Sequence, residues 1–140
     1  MTTLYSTSAT ASAGRNGMVK TDDAKLELAL SYPKEMGGTG EATNPEQLFA
    51  AGYSACFSNA VLFVAQSQKL KLAEAPTTAT VGISPNETGG FSLSVELAIK
   101  LDLEQTEALE LVRKAHQVCP YSNAVRNNID VKVSVNGELI

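Results

Sequence analysis

From Leu48 to Ala65 the chain runs for 18 residues without a formal charge. Apolar side chains surround the whole axis of the helix this run predicts. Asn44 just ahead is a strong N-cap, Pro45 fits the first helical position and Gln47 can close a capping box, so the helix is expected from Pro45 to about Lys69. A helix apolar all round needs cover on more than one side. Its length approaches that of a membrane span, but Gly52, Ser54, Ser58 and Asn59 interrupt it and no basic residues flank its N-terminal side. The pattern predicts a central core helix and no membrane partner.

Around this helix the pattern changes to alternation. Leu4–Ala13 carries Thr, Ser and Ala with a partial period of two and predicts an edge strand. Gly14-Arg15-Asn16-Gly17 is a turn, because Asn-Gly accepts positive φ, and it puts Arg15 at a hairpin tip before Met18-Val19-Lys20. Lys25–Leu30 alternates as a half-buried strand. Pro33 and Gly37-Gly38-Thr39-Gly40 then predict a mobile loop, which lacks the Lys-Ser/Thr ending of a phosphate-binding loop. Strands are expected at Thr77–Ser84 and Phe91–Lys100, across the turn Pro85–Gly90. Asp102 is the expected N-cap of a second helix, on which Ala108, Leu111, Val112, Ala115 and Cys119 recur at spacings of three and four. Pro120 interrupts it, a short helical piece follows over Tyr121–Asn127, and Ile129–Val135 alternates as a last strand.

The order βββ-α-ββ-α-β predicts an α+β fold with one mainly antiparallel sheet and the first helix on its face. Residues 1–140 read as a single domain, without repeat or linker. So short a chain supplies little cover for the apolar helix. A homodimer with Leu48–Ala65 near its two-fold axis is expected.

Composition narrows the function classes. A net charge of −4 and the absence of Trp leave no electrostatic or stacking footprint for nucleic acid. Met1-Thr2-Thr3-Leu4-Tyr5 is no secretory leader. Two cysteines do not make a disulfide framework, so a cytoplasmic location is expected, where a disulfide is transient and chemical. His116 is the only histidine. Without a spaced ligand set it predicts no metal site, and it is expected on a helix surface.

The chemistry therefore rests on Cys56 and Cys119, each on a segment that turns it inward. Two readings stand open: two small buried hydrophobes, or a redox pair in which each thiol can resolve the oxidised form of the other. A reactive thiol needs its thiolate stabilised, since only a few per cent ionises at pH 7. Cys56 sits about three turns into its helix, beyond the reach of the N-terminal dipole. Arg15, permanently charged and fork-shaped, is the candidate cation, and Glu46 the candidate anchor that aims it. On an ideal helix Glu46 and Cys56 are separated by about 15 Å. Either the helix bends near Gly52 or the pair reaches Cys56 across a dimer interface; the second is expected. Complete ionisation of the thiol gains at most about thirty-fold, so any large rate must come mainly from positioning the bond to be broken and stabilising the leaving group.

Several runs together resemble the organic hydroperoxide resistance branch of the Ohr/OsmC family over nearly the whole chain. They are Leu4-Tyr5 with Ala9-Thr10-Ala11 before Gly14-Arg15, Gly37-Gly38-x-Gly40, Thr43–Phe57 around Cys56, and Val118-Cys119-Pro120-Tyr121-Ser122-Asn123-Ala124. Ser12-Ala13 departs from the pattern where a glycine is expected, which would stiffen the Arg15 turn. The resemblance implies a thiol peroxidase that reduces organic hydroperoxides, fatty-acid hydroperoxides among them, to alcohols. It makes Cys56 the peroxidatic thiolate, Cys119 the resolving cysteine, and Arg15 with Glu46 the activating pair. It also implies an intertwined homodimer with both sites at the interface. No bound cofactor is implied; the reductant is a dithiol, dihydrolipoamide or a lipoylated enzyme. Phe49, Phe57, Leu62 and methionines would favour an alkyl peroxide by apolar contact. A non-catalytic lipid-binding module and a dithiol peroxide sensor are the competing classes.

Overall fold

The computed structural model describes all residues, Met1–Ile140. They fall into two compact units, Met1–Leu48 and Phe49–Ile140.

The first unit is a thin antiparallel sheet of β1 (Ala9–Ser12), β2 (Met18–Thr21) and β3 (Glu27–Ala29) in sequence order. Leu4–Ser8, expected to belong to the first strand, lies outside it. The expected Asn-Gly hairpin is a single 3₁₀ turn over Gly14–Asn16, and its positive φ values fall earlier, at Ala13 (φ 56°) and Gly14 (φ 57°). Gly17 is needed for space instead: a Cβ there would sit 1.8 Å from the carbonyl oxygen of Ser12. β3 is shorter than expected because Thr21 and Asp23 accept the backbone N–H groups of Leu26 and Lys25 in a side-chain-bonded turn. The glycine loop, expected to be mobile, is closed by backbone bonds from Gly38 to Pro33 and from Gly40 to Tyr32.

Helix α1 (Pro45–Ser67) starts as expected, with Asn44 Oδ1 accepting from the Gln47 N–H at 2.9 Å. The reciprocal half of the capping box is absent, since Gln47 Oε1 accepts from the Thr43 hydroxyl. The helix is unbroken through Gly52, so the bend considered there does not occur. Gly52 makes room instead: a Cβ would lie 2.7 Å from the hydroxyl of Tyr121.

The second unit pairs β4 (Thr77–Pro85) with β5 (Phe91–Ile99) as a long antiparallel hairpin. Helices α2 (Gln105–Val118) and α3 (Pro120–Val125) then carry the chain over to β6 (Lys132–Val135), which lies parallel to β5. A crossover of this length permits a parallel pair, whereas a tight hairpin would force an antiparallel one. There are thus two sheets, of three and four strands, rather than one. A last strand, β7 (Glu138–Leu139), was not expected, although Asn136-Gly137 ahead of it is a hairpin signal and both residues have positive φ. The N-cap of α2 is Glu104, not Asp102: its carboxylate accepts the Glu107 N–H.

The core of this unit joins one face of α1 (Tyr53, Phe57, Val61) to Val95, Leu97 and Ile99 of β5 and to the α2 stripe Ala108, Leu111, Val112 and Ala115. Full burial of such a side chain is worth about 1.5–3 kcal/mol. The all-round cover expected for α1 is met on this face only; Phe63 on another is 61% exposed in the single chain.

Candidate active site

Cys119 occupies the junction between α2 and α3. Its backbone is extended (φ −64°, ψ 121°), and Pro120 starts α3 in the first helical position, where its missing N–H costs nothing. The side chain is fully buried. Cys56, from the middle of α1, is half-buried. The two sulfurs are 3.8 Å apart and unbonded, with the Cys119 thiol donating toward Cys56. A disulfide needs about 2.05 Å, so closing the gap takes a movement of under about 2 Å. Of the two readings left open by the sequence, this placement favours the redox pair.

Aromatic rings share the core with the two cysteines. Tyr53 packs on Tyr121 (centroids 5.6 Å), Phe49 stands edge-on to both, and Phe57 meets the His116 ring at 6.0 Å. Of the apolar residues expected near the thiols, Phe49 and Phe57 are in this cluster. Leu62 lines a separate groove with Leu70 and Leu72. The methionines, Met1, Met18 and Met36, belong to the first unit.

Burial pushes the Cys56 thiol up from its ordinary pKa, a nearby Cys119 thiolate adds to that, and the backbone N–H of Tyr121 works against it. Within its own unit Cys56 is therefore held as a thiol and needs a cation to ionise.

In the first unit, Arg15 on the 3₁₀ turn and Glu46 in the first turn of α1 form the fork-to-fork pair expected of them. The distances are 2.7 Å for Nη1–Oε2 and 2.5 Å for Nη2–Oε1. Their side chains are 21% and 14% exposed, sheltered enough for a bidentate pair to hold its geometry. The hydrogen bond from Arg15 holds the Glu46 carboxyl below its usual range, and the same bond raises Arg15. The guanidinium also lies 5.8 Å over the Tyr32 ring, a cation–π contact.

His116 is not the solvated helix-surface residue expected. It is half-buried, its Nδ1 is 2.8 Å from Ser122 Oγ, and Ser122 Oγ is 2.7 Å from Tyr53 Oη. Desolvation, then the charge of Arg126, lowers its pKa, so it is neutral at pH 7. Burial keeps Tyr53 a phenol, the Ser122 hydrogen bond works against that, and thiolates on Cys119 and Cys56 would raise its pKa further. Sequence reasoning gave Tyr53 and Ser122 no individual role and placed His116 on a helix surface. The available signal was their spacing: each lies three residues from a cysteine. No group of three or more His, Cys, Asp or Glu side chains is placed to hold a metal ion.

An α+β fold that brings two free cysteines to 3.8 Å at a helix–Pro–helix junction defines a dithiol protein. The OsmC-like family model matches residues 38–134. The chain belongs to the OsmC-like family, in its organic hydroperoxide resistance branch. It is 50% identical over 135 residues to the organic hydroperoxide resistance protein of Xanthomonas axonopodis pv. citri, covering 94% of each chain. A Vibrio cholerae structure, solved with captopril in one of its active sites, has 69% identity and a TM-score of 0.99 over 100% of this chain and 97% of its own. OhrB of Bacillus subtilis is 40% identical with a TM-score of 0.86 over 95% of this chain and 99% of its own.

Proposed function

We propose that this protein detoxifies organic hydroperoxides as a thiol-dependent peroxidase. The observation that carries the reading is the 3.8 Å separation of two free sulfurs at the hydrophobic core that contains Tyr53 and Phe57. The Cys56 thiolate attacks one peroxide oxygen, the O–O bond breaks, the alcohol leaves after taking a proton, and Cys56 becomes a sulfenic acid. Cys119 then attacks the Cys56 sulfur: the S–S bond forms, the S–O bond breaks, and the thiol proton leaves with the hydroxyl as water. A dithiol, dihydrolipoamide or a lipoylated enzyme, takes up the disulfide and restores both thiols. The names of the relatives support the substrate class; the dithiol reductant rests on the family resemblance.

Arg15 supplies the positive charge that ionises Cys56 and stabilises the departing oxygen, with Glu46 aiming it. On an ideal helix Glu46 and Cys56 are about 15 Å apart, so in this reading the pair serves the Cys56 of a second subunit in a homodimer. Uncovered Phe63 on α1 supports that assembly. The expectation that residues 1–140 form a single domain belongs to the same reading. So does a cytoplasmic location: α1 is long and apolar enough to cross a bilayer, but Tyr53, Phe57 and Val61 are in the core with β5 and α2.

The test is cumene hydroperoxide consumption with dihydrolipoamide, thioredoxin or glutathione as donor. Turnover with dihydrolipoamide, none in Cys56→Ser, and a single turnover followed by overoxidation in Cys119→Ser are expected. Full multiple turnover by Cys56→Ser would end the reading. Tight fatty-acid binding without peroxide consumption would favour the non-catalytic module.

A further inference from the structure

Ser122 is 1% exposed, and its one hydroxyl is shared between Tyr53 of α1 and His116 of α2. A hydroxyl has a single proton to donate. The hydroxyl therefore donates to at most one of the two and accepts from the other, the direction being set by the His116 tautomer. No buried polar side-chain atom is left without a partner by this arrangement. Tyr53 is on the helix that carries Cys56, one turn ahead of it. His116 and Ser122 flank Cys119, one on the helix that ends there and one on the helix that begins there. Arg126 adds a second clasp, donating to the His116 carbonyl and to Asn123. Cys119 itself has no side-chain cap bond and an extended backbone between the two helices, so its sulfur is located by what holds those helices.

We propose that His116 is a positioning residue for disulfide formation: acting through the Ser122 hydroxyl and Tyr53, it holds the junction that presents Cys119 to Cys56. The proposal rests on the peroxidase reading and deepens it. His116 touches neither sulfur; it fixes the starting distance for the attack of Cys119 on the Cys56 sulfenic sulfur. Removing it therefore slows resolution and leaves peroxide reduction alone.

The experiment separates the two steps. Reduced protein is mixed with one equivalent of cumene hydroperoxide and quenched with iodoacetamide at intervals. Mass spectrometry then follows loss of the Cys56 thiol and appearance of the disulfide, while thermal denaturation reports the fold. His116→Ala is expected to slow disulfide formation about ten-fold, the worth of one buried hydrogen bond, with Cys56 oxidation within about two-fold of the parent. His116→Asn, which keeps an acceptor near the Nδ1 position, is expected to recover most of the rate; a merely structural residue would show no such rescue and no split between steps. Disulfide formation at the parental rate in folded His116→Ala overturns the proposal, as does equal slowing of both steps. Should His116→Ala fail to fold, Ser122→Ala against Ser122→Thr is read in the same way. Diamide, which oxidises the dithiol directly, is run on the same variants. If peroxide oxidises nothing but diamide closes the disulfide more slowly in His116→Ala, the peroxidase reading falls and the positioning role stands; equal diamide rates overturn the role.

Discussion

The two regions to which the proposed chemistry is assigned are built by opposite means. The dithiol is set in dense packing, where α1, α2 and β5 bury Tyr53, Phe57, Leu97, Leu111 and Val112 together with Cys119. The Arg15–Glu46 pair is carried by a thin sheet whose first strand is exposed at every residue. It keeps its geometry through two charge-assisted bonds and the Tyr32 ring rather than through a core. Sulfur that must close a gap of about 2 Å needs neighbours that resist displacement, which close packing supplies. A permanent charge acts over several ångströms and needs only its direction set, which a bidentate fork supplies.

The largest expected effect breaks the packed side. Leu111→Ala removes a fully buried side chain and is expected to destabilise the protein by about 2–5 kcal/mol. Thr10→Ala, on the exposed strand β1, is expected to stay within about 0.5 kcal/mol. Urea titration of the two variants checks this; similar losses would show that the first unit is not held as loosely as its exposure says.

Arg15→Lys breaks the other side. It keeps the charge but loses the fork, so Glu46 no longer fixes its direction. Peroxidase activity is expected to fall by about thirty-fold or more, since thiol ionisation accounts for up to about thirty-fold and stabilisation of the departing oxygen is lost with it, while stability changes by under about 1 kcal/mol. Iodoacetamide alkylation of Cys56 against pH checks the cause, because its inflection should move up. An unchanged inflection would separate Arg15 from thiol ionisation.

Titration sharpens the comparison further through one group in each region whose ordinary value lies between pH 7 and pH 3, His116 and Glu46. His116 in the packed region has its pKa lowered by burial, so the unfolded chain binds the proton more readily. Its contribution is present above the ordinary histidine value of 6.5 and is lost as pH falls through the lowered one. Glu46 is also lowered, by the Arg15 bond; its contribution is present above 4.5 and disappears as pH falls through its own lowered value. Each group contributes a slope of at most about 1.4 kcal/mol per pH unit. Chemical denaturation between pH 7 and pH 3 is expected to show the His116 loss first, absent from His116→Asn, and the Glu46 loss second, absent from Glu46→Gln. A single loss confined to the lower window would mean that His116 is not desolvated.

What the sequence disclosed follows the same division. The Asn44 cap, the α2 stripe and the inward turn of Cys119 are local or periodic, and each is visible in a window of a few residues. The Arg15–Glu46 pair spans 31 positions; it was reachable because the thiol demanded a cation and few candidates existed. Ser122 had no such demand behind it. Its role depends on Tyr53 and His116 arriving from two other helices at 2.7 and 2.8 Å, distances that no spacing along the chain encodes. The parallel β5–β6 pairing was hidden for a related reason: alternation marks a strand but not its neighbour. Glu104 displaced Asp102 as the cap of α2 because either carboxylate suits a helix start, and the position of the first turn is decided by the burial of Ala108 and Leu111.

The smallest effect tests how much strain the loosely built region tolerates. Ala13 precedes the Arg15 turn with φ 56° and ψ 22°, in the left-handed region, where a Cβ costs about 1–2 kcal/mol. Glycine was expected about here from the family pattern, and the conformation is the one glycine adopts freely. Ala13→Gly relieves the strain but gives the unfolded chain more freedom, an opposing term of about 0.4–1 kcal/mol. The difference leaves a net gain of up to about 1.6 kcal/mol, measurable as a small rise in melting temperature. Because the substitution loosens the turn that carries Arg15, the pH inflection of Cys56 alkylation should move up slightly while stability rises. A fall in stability would mean that the left-handed turn carries less strain at Ala13 than its φ implies. A large shift in the inflection would mean that the stiffness of this turn, and not the Glu46 fork, aims the guanidinium.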